Sequence, residues 1–280
     1  MQNIGQVWRE AKTQLEKADI KTASLDAKIL TEFAFNFCGL DLALKEKEIP
    51  NTKQLEKLNQ YISRRLSGEP IARIIGKKEF YSLNFTLNEA TLVPRPESEI
   101  LVDLTLKNLK DISSPKILEL GVGSGCIIIS ILAHALKAKA TGVDLSEKAL
   151  LIAKKNATLN RVENRVEFIQ GSWFEPIEEK FNIIISNPPY IKSSEIADLQ
   201  KEVRLFDPSL ALDGGNDGLE PYKEIAKTAK EYLFNDGLVI VEFGQGQEKS
   251  IKEIFIAQNF SFIGEYRDLA GIIRAIIVKK

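Results

Sequence analysis

Gly121, Gly123 and Gly125 stand between an apolar, strand-like run, Lys116-Ile-Leu-Glu-Leu120, and an apolar helical run from Cys126 to Leu136. A turn this tight, with backbone that must come close to a ligand, calls for glycine. The helix that follows presents free N–H groups at its start. Strand, glycine loop and helix together form a unit that binds either a dinucleotide or S-adenosylmethionine. The dinucleotide fingerprint G-x-G-x-x-G needs a glycine where Cys126 stands. The pattern here is G-x-G-x-G, with Val122 and Ser124 between the glycines, the tighter form typical of methyltransferases. Asp144 ends the next strand, where its carboxylate can accept hydrogen bonds from both hydroxyls of a ribose.

The loop sits in a longer alternation. After Pro94-Arg95-Pro96 the pattern predicts a helix over Glu97–Leu109 and a strand over Lys116–Leu120. A helix from Cys126, a strand over Ala138–Val143 and a helix over about Ser146–Asn160 follow. Further strands are expected near Val166–Ile169, Phe181–Ser186 and Leu238–Glu242, and two strand-like stretches between Phe260 and Val278 suit an antiparallel edge. Alternation of this kind gives an α/β fold, a mostly parallel sheet with helices on both faces. Before it, residues 1–75 read as a small helical bundle. Ile4, Trp8, Ala11 and Leu15 recur at helical spacing, as do Leu25, Ile29 and Phe33, then Leu55, Leu58, Ile62 and Leu66. Breaks fall near Asp19, Pro50 and Gly68-Glu69-Pro70. Residues 76–92 are rich in β-prone side chains around a polar Ser82/Asn84 break and read as a β-hairpin linking the bundle to a catalytic domain at 93–280.

One further motif selects the chemistry. Asn187-Pro188-Pro189-Tyr190 directly follows the buried strand Phe181–Ser186, and ligands of open α/β sheets sit at such carboxyl ends. Two consecutive prolines lack N–H groups, so the corner offers only rigid acceptors. The Asn187 side-chain oxygen and the Pro188 carbonyl can both accept from one planar NH₂ group, with Tyr190 supplying a flat face. An amide nitrogen is a poor nucleophile because its lone pair is delocalised. Fixing the NH₂ and aiming it at an electrophilic methyl group can suffice without a dedicated base.

Composition narrows the field. Lys plus Arg number 38 against 39 Asp plus Glu, without the basic surplus or stripe of a chain that grips phosphates, so nucleic acid is not the expected partner. The two cysteines, Cys38 and Cys126, lie outside metal-ligand spacing, and no metal is expected. Cys126 reads as a small packing residue. His134, the single histidine, reads as a helix-surface or packing residue, which leaves no histidine triad. No apolar run approaches the roughly 18–20 residues of a membrane span, and the N-terminus lacks a secretory pattern, so a cytoplasmic protein is expected.

With these motifs in hand, the sequence resembles the release factor glutamine methyltransferases, the bacterial HemK/PrmC type. The resemblance runs through Gly68-Glu-Pro-Ile71, Leu92-Val-Pro-Arg-Pro-Glu97, the glycine loop, Asn187–Tyr190, Ala211-Leu-Asp-Gly-Gly215 and Asp217-Gly-Leu219. The tetrad alone also occurs in DNA and RNA amino-methyltransferases that act on adenine N6 or guanine N2. The resemblance implies a Rossmann-like class I methyltransferase sheet, with S-adenosylmethionine as methyl donor. It implies N5-methylation of the glutamine in the Gly-Gly-Gln motif of class-1 peptide chain release factors. Gly121, Val122, Gly123, Ser124, Gly125, Asp144, Trp173 and Asn187 would line the donor site, and Asn187, Pro188, Pro189 and Tyr190 would hold the glutamine. Trp173 either packs against the adenine or is an ordinary core residue. Arg95 either touches substrate or orders its loop. The family often carries an acidic residue where this chain has Ser172. The helical domain would help grip the release factor.

Overall fold

The computed structural model describes residues 1–280, which fall into two compact units: Met1–Gly76 with Lys201–Phe206, and Lys77–Gln200 with Asp207–Lys280.

The first unit is helical: α1 (Ile4–Lys17), α2 (Ala23–Phe35), α3 (Asp41–Leu44), α4 (Thr52–Leu66), α5 (Ile71–Ile75) and, from later in the chain, α9 (Lys201–Phe206). Two of these helices start in the same way. Asn3 accepts from the Gln6 N–H at 2.9 Å, and the Gln6 side chain accepts from the Asn3 N–H at 2.9 Å. Asn51 and Gln54 repeat the exchange at 2.9 and 3.0 Å. Each reciprocal pair satisfies donors that a helix start leaves unpaired. The α1 positions expected to face inward largely do so: Ile4, Ala11 and Leu15 are buried.

Elsewhere the helical phase departs from the sequence expectation. Leu25 is 57% exposed and Leu66 41% exposed. The inward face of α2 is instead Ala23, Ala27, Leu30 and Ala34, with Asp26 among them. That of α4 is Leu58, Tyr61, Ile62 and Arg65. Small alanines let α2 pack closely between its neighbours, and a buried ion pair takes the place of two leucines. Arg65 Nε donates to Asp26 Oδ2 at 2.7 Å, and its Nη1 donates to Glu202 Oε1 at 2.6 Å. The second bond reaches α9, which the sequence pattern assigned to the catalytic domain and which belongs to this unit.

The second unit opens with the hairpin β1 (Lys77–Phe80) and β2 (Leu83–Thr86). Its turn is Tyr81–Ser82, both with positive φ, the conformation a two-residue hairpin requires, and Asn84 lies within β2. Neither turn residue is glycine or asparagine. The turn is held from outside, with the Tyr81 N–H on Glu99 Oε1 at 2.8 Å and its hydroxyl on Asp103 Oδ1 at 2.7 Å. The hairpin is part of this unit's core rather than a free linker. Phe80 and Phe85 are fully packed, and the buried Asn156 side chain accepts from the Thr86 N–H (2.7 Å) and donates to the Thr86 carbonyl (3.0 Å). One amide side chain thus pairs with Thr86 as a neighbouring strand would.

The remaining elements are α6 (Glu99–Leu109), β3 (Lys116–Leu120), α7 (Cys126–His134), β4 (Lys139–Asp144), α8 (Glu147–Leu159), β5 (Val166–Gln170), β6 (Phe181–Ser186), α10 (Glu220–Thr228), β7 (Leu233–Glu242), α11 (Glu248–Ala257), β8 (Ser261–Arg267) and β9 (Ile273–Lys279). The seven strands run in the order β5-β4-β3-β6-β7-β9-β8. The first five are parallel, β9 is antiparallel to β7, and β8 to β9. Every strand of the sequence reading is present, and β7 begins earlier, at Leu233, across an irregular register with β6. The helices α10 and α11 were not read from the sequence. Successive residues of a strand face opposite sides: Ile117, Ile183 and Ile185 join one core, while Leu118, Leu120 and Ile184 join the other. Burial on both faces explains why these strands read as unbroken apolar runs. No helix is long and apolar enough to cross a membrane.

The chain proceeds outward from β3 through β4 to β5, then returns to place β6 on the other side of β3. Strand order reverses there, and a crevice opens at the carboxyl ends of β3 and β6. The glycine loop leaves one of these strands and the Asn187 tetrad leaves the other. Leu120 pairs with Ser186, whose hydroxyl donates to the Leu120 carbonyl at 2.8 Å.

Candidate active site

The glycine loop is shaped by its own backbone. Gly121, Gly123 and Gly125 have φ of +73°, +53° and +78°, values that L side chains adopt only with strain. A Cβ on Gly121 or Gly123 would meet nothing within 4 Å, so these positions stay open toward the cavity. Gly125 is different: its Cβ would lie 2.8 Å from Ile129 Cδ1, so a side chain there would also push the end of Ile129 aside. The Ser124 carbonyl accepts from Asn156 Nδ2 at 2.8 Å. Not every N–H at the start of α7 is free, because Glu119 Oε2 accepts from the Ile128 N–H at 3.0 Å. Burial pushes the Glu119 carboxyl well above the usual range.

Asp144 closes the loop from β4. Its Oδ2 accepts from the Gly123 N–H at 2.8 Å and its Oδ1 from the Ser146 N–H at 2.9 Å. Two backbone donors therefore fix the carboxylate plane before any ligand arrives, and each oxygen keeps a lone pair. Burial raises the Asp144 pKa against the opposing effect of those two bonds.

Loop, aspartate and tetrad surround a cavity of about 650 Å³, within the range of small-molecule sites. Gly121, Val122, Gly123, Ser124 and Asp144 line it, with Trp173, Asn187 and Pro189. Gly125 is buried behind the loop, Pro188 is buried, and Tyr190 lies outside the lining. Trp173 lines the cavity and also packs on the core beneath. Arg95 lines the cavity too, while its Nη2 donates to the buried Asp207 Oδ2 at 2.8 Å, which orders the loop. Cys126 carries a thiol pushed up to about 12 by burial, as a packing residue would. His134, at the end of α7, contacts the Ser130 carbonyl at 2.8 Å and sits edge-on to Tyr81.

The tetrad has supports that the sequence reading did not assign. Asn187 Nδ2 donates to the buried Ser98 Oγ at 3.0 Å, which leaves its Oδ1 as the acceptor. The Tyr190 carbonyl accepts from Gln247 Nε2 at 3.0 Å. Gly214 passes so close that a Cβ would lie 2.8 Å from the Pro189 carbonyl oxygen and from Tyr190 Cα. Burial pushes the Tyr190 phenol up to about 12, so it stays neutral. The Leu-Asp-Gly-Gly segment was legible as a motif. Ser98, Gln247 and Glu242 carried no local signal.

Comparison with known proteins gives this geometry its family. The release factor glutamine methyltransferase of Agrobacterium fabrum is 38% identical over 274 residues, covering 96% of this chain and 95% of its own. The protein of that name in Thermodesulfovibrio yellowstonii is 42% identical, covering 82% and 83%. The chain belongs to the release factor glutamine methyltransferase family. The family model described as PrmC N-terminal domain matches residues 6–76, and that described as Methyltransferase small domain matches residues 98–207. A solved methyltransferase from Pyrococcus furiosus aligns over 71% of this chain and 89% of its own, with a TM-score of 0.53 at 20% identity. That likeness is one of fold, and the Rossmann-like class I methyltransferase sheet is shown.

Proposed function

We propose that this family member transfers a methyl group from S-adenosylmethionine to the side-chain amide nitrogen (N5) of the glutamine in the Gly-Gly-Gln motif of class-1 peptide chain release factors. The observation that carries the reading is the orientation of Asn187. Its NH₂ is turned away onto Ser98, so its oxygen remains as an acceptor beside the glycine loop. A site that must hold a flat NH₂ needs acceptors and no donors.

The donor fits the residues present. The open faces of Gly121 and Gly123 leave room for a ligand at the loop, and the fixed Asp144 carboxylate suits a ribose diol. S-adenosylmethionine, when bound, supplies a methyl group already made electrophilic by the sulfonium. The protein's part is orientation. Asn187 Oδ1 accepts one amide hydrogen of the glutamine and the Pro188 carbonyl the other, which fixes the nitrogen and raises its electron density. Tyr190, neutral and held by Gln247, braces the corner. The helical first unit would contact the release factor outside the glutamine, and action on a translation factor implies a cytoplasmic enzyme.

Incubating protein, donor and release factor, then analysing the Gly-Gly-Gln peptide by mass spectrometry, tests the proposal. One added methyl on the glutamine is expected. Asn187→Ala should lower kcat by on the order of a hundredfold with the fold intact, since one of two orienting acceptors is lost. Label that enters only DNA or RNA would overturn the assignment in favour of a nucleic-acid amino-methyltransferase.

A further inference from the structure

We propose that Glu242, acting through Ser98, is the positioning residue that sets which way round the Asn187 amide sits and so keeps its oxygen turned toward the substrate nitrogen. The inference rests on the glutamine-amide reading above and adds a residue to it.

Ser186 and Val241 are paired across β6 and β7, so Asn187 and Glu242 leave the two neighbouring strands at the same level. Ser98, in the turn that leads into α6, faces both of them. Ser98 and Glu242 are buried, at 3% and 1% exposure. A hydroxyl has one proton to give. Facing an ionised Glu242, Ser98 gives that proton to the carboxylate and can only accept from Asn187, as the 3.0 Å bond from Nδ2 shows. The Asn187 oxygen is then the atom left for the substrate. A protonated Glu242 reverses the chain. It donates to Ser98, whose own proton turns to Asn187 Oδ1, and the amide rotates so that NH₂ faces NH₂. Two donors then oppose each other and the substrate amide loses its grip. The only bond formed is the O–H of the Glu242 carboxyl, with its proton taken up from solvent; the rest of the switch is rotation of the Ser98 hydroxyl and the Asn187 amide.

A second observation sets Glu242 apart from an ordinary structural carboxylate. Its Oε2 is buried and has no hydrogen-bond partner. Buried carboxylates retained for stability are paired. Glu97 before α6, Arg274 on β9, Tyr190 and Cys126 interact with the carboxylate electrostatically, as does Tyr222 on α10, whose hydroxyl bonds the Glu242 carbonyl at 2.8 Å. Burial is the largest influence, with the charge of Glu97 adding to it, while hydrogen bonds from Ser98 and Asn187 and the charge of Arg274 oppose it. Together they push the carboxyl up to about 7.

The test measures kcat and both KM values for the wild-type protein, Glu242→Gln and Ser98→Ala from acid to alkaline pH, with release factor as methyl acceptor. For the wild type, kcat should fall as pH drops through about 7, because acid protonates the selector. Glu242→Gln can both donate and accept, so it should lose roughly ten- to a hundredfold in kcat above neutrality. KM for the donor should stay within about twofold, and the acid limb should vanish. Glu242→Gln that keeps wild-type kcat and its acid limb overturns the assignment. If that variant fails to fold, Ser98→Ala breaks the same relay, and unchanged kcat and pH dependence there overturns it equally. Wild-type protein that leaves the release factor unmethylated sinks the functional reading as well, whereas an active wild type with an indifferent Glu242→Gln sinks only the role of Glu242.

Discussion

Replacing Asp144 with asparagine keeps the shape of the side chain and removes its charge. In the structure that carboxylate already accepts from the Gly123 and Ser146 N–H groups at 2.8 and 2.9 Å. Asparagine can serve only one of the two with its oxygen. The other N–H then meets an NH₂ group, and the acceptor proposed for the ribose diol loses its charge. A hydrogen bond to a charged group contributes about 1.5–3 kcal/mol. The loss of one such bond weakens donor affinity by roughly 10- to 150-fold. Isothermal titration calorimetry with S-adenosylhomocysteine, the demethylated donor, reads the affinity without turnover, and a thermal melt of the ligand-free protein checks the fold. Because burial raises the Asp144 pKa, wild-type affinity should also decline as the pH falls through that raised value, and Asp144→Asn should lack this decline. An Asp144→Asn protein that melts normally and binds within about threefold of wild type would refute the diol role. So would a loss confined to kcat with donor KM unchanged.

Two other outcomes follow from buried groups. Arg65→Ala leaves Asp26 charged and buried without its partner, and should cost about 3–5 kcal/mol, read as a lower urea midpoint for the helical signal. A shift under about 1 kcal/mol would show that the Asp26–Arg65 pair contributes no more than a surface ion pair does. With a thiol reagent at mildly alkaline pH, the exposed Cys38 should react at once and Cys126 slowly, since a thiol pushed up to about 12 offers almost no thiolate. Two equally fast thiols would contradict the raised pKa of Cys126.

The sheet was legible because its determinants are local. Apolar runs such as Phe181–Ser186 and Lys116–Leu120 end at turn residues whose chemistry is visible without a fold. Asp144 could be placed because it ends a strand at the edge of the same crevice. The helical bundle was harder. Leu25 and Leu66 fit a helical stripe, yet the buried positions beside them belong to Asp26 and Arg65, which meet across 39 residues of sequence. Periodicity scores each helix alone and cannot register a partner on another. The hairpin turn hid for a similar reason. Tyr81 and Ser82 hold a glycine-like conformation only because Glu99 and Asp103 brace them from α6. In the site, Asn187 was found through its proline neighbours. Ser98 and Glu242 converge on it from separate elements and leave no mark in the local pattern.

Asn156 has a practical consequence for anyone who dissects this protein. Its single amide touches the end of the hairpin at Thr86 and the ligand loop at the Ser124 carbonyl. A catalytic fragment cut just before Val93 would strip that amide of one partner and open the apolar pocket that Phe80 and Phe85 fill. The loop would then sag even though none of its own residues had changed. The natural place for scissors is Gly76, and fragments beginning on either side of the hairpin should differ in donor affinity before they differ in chemistry.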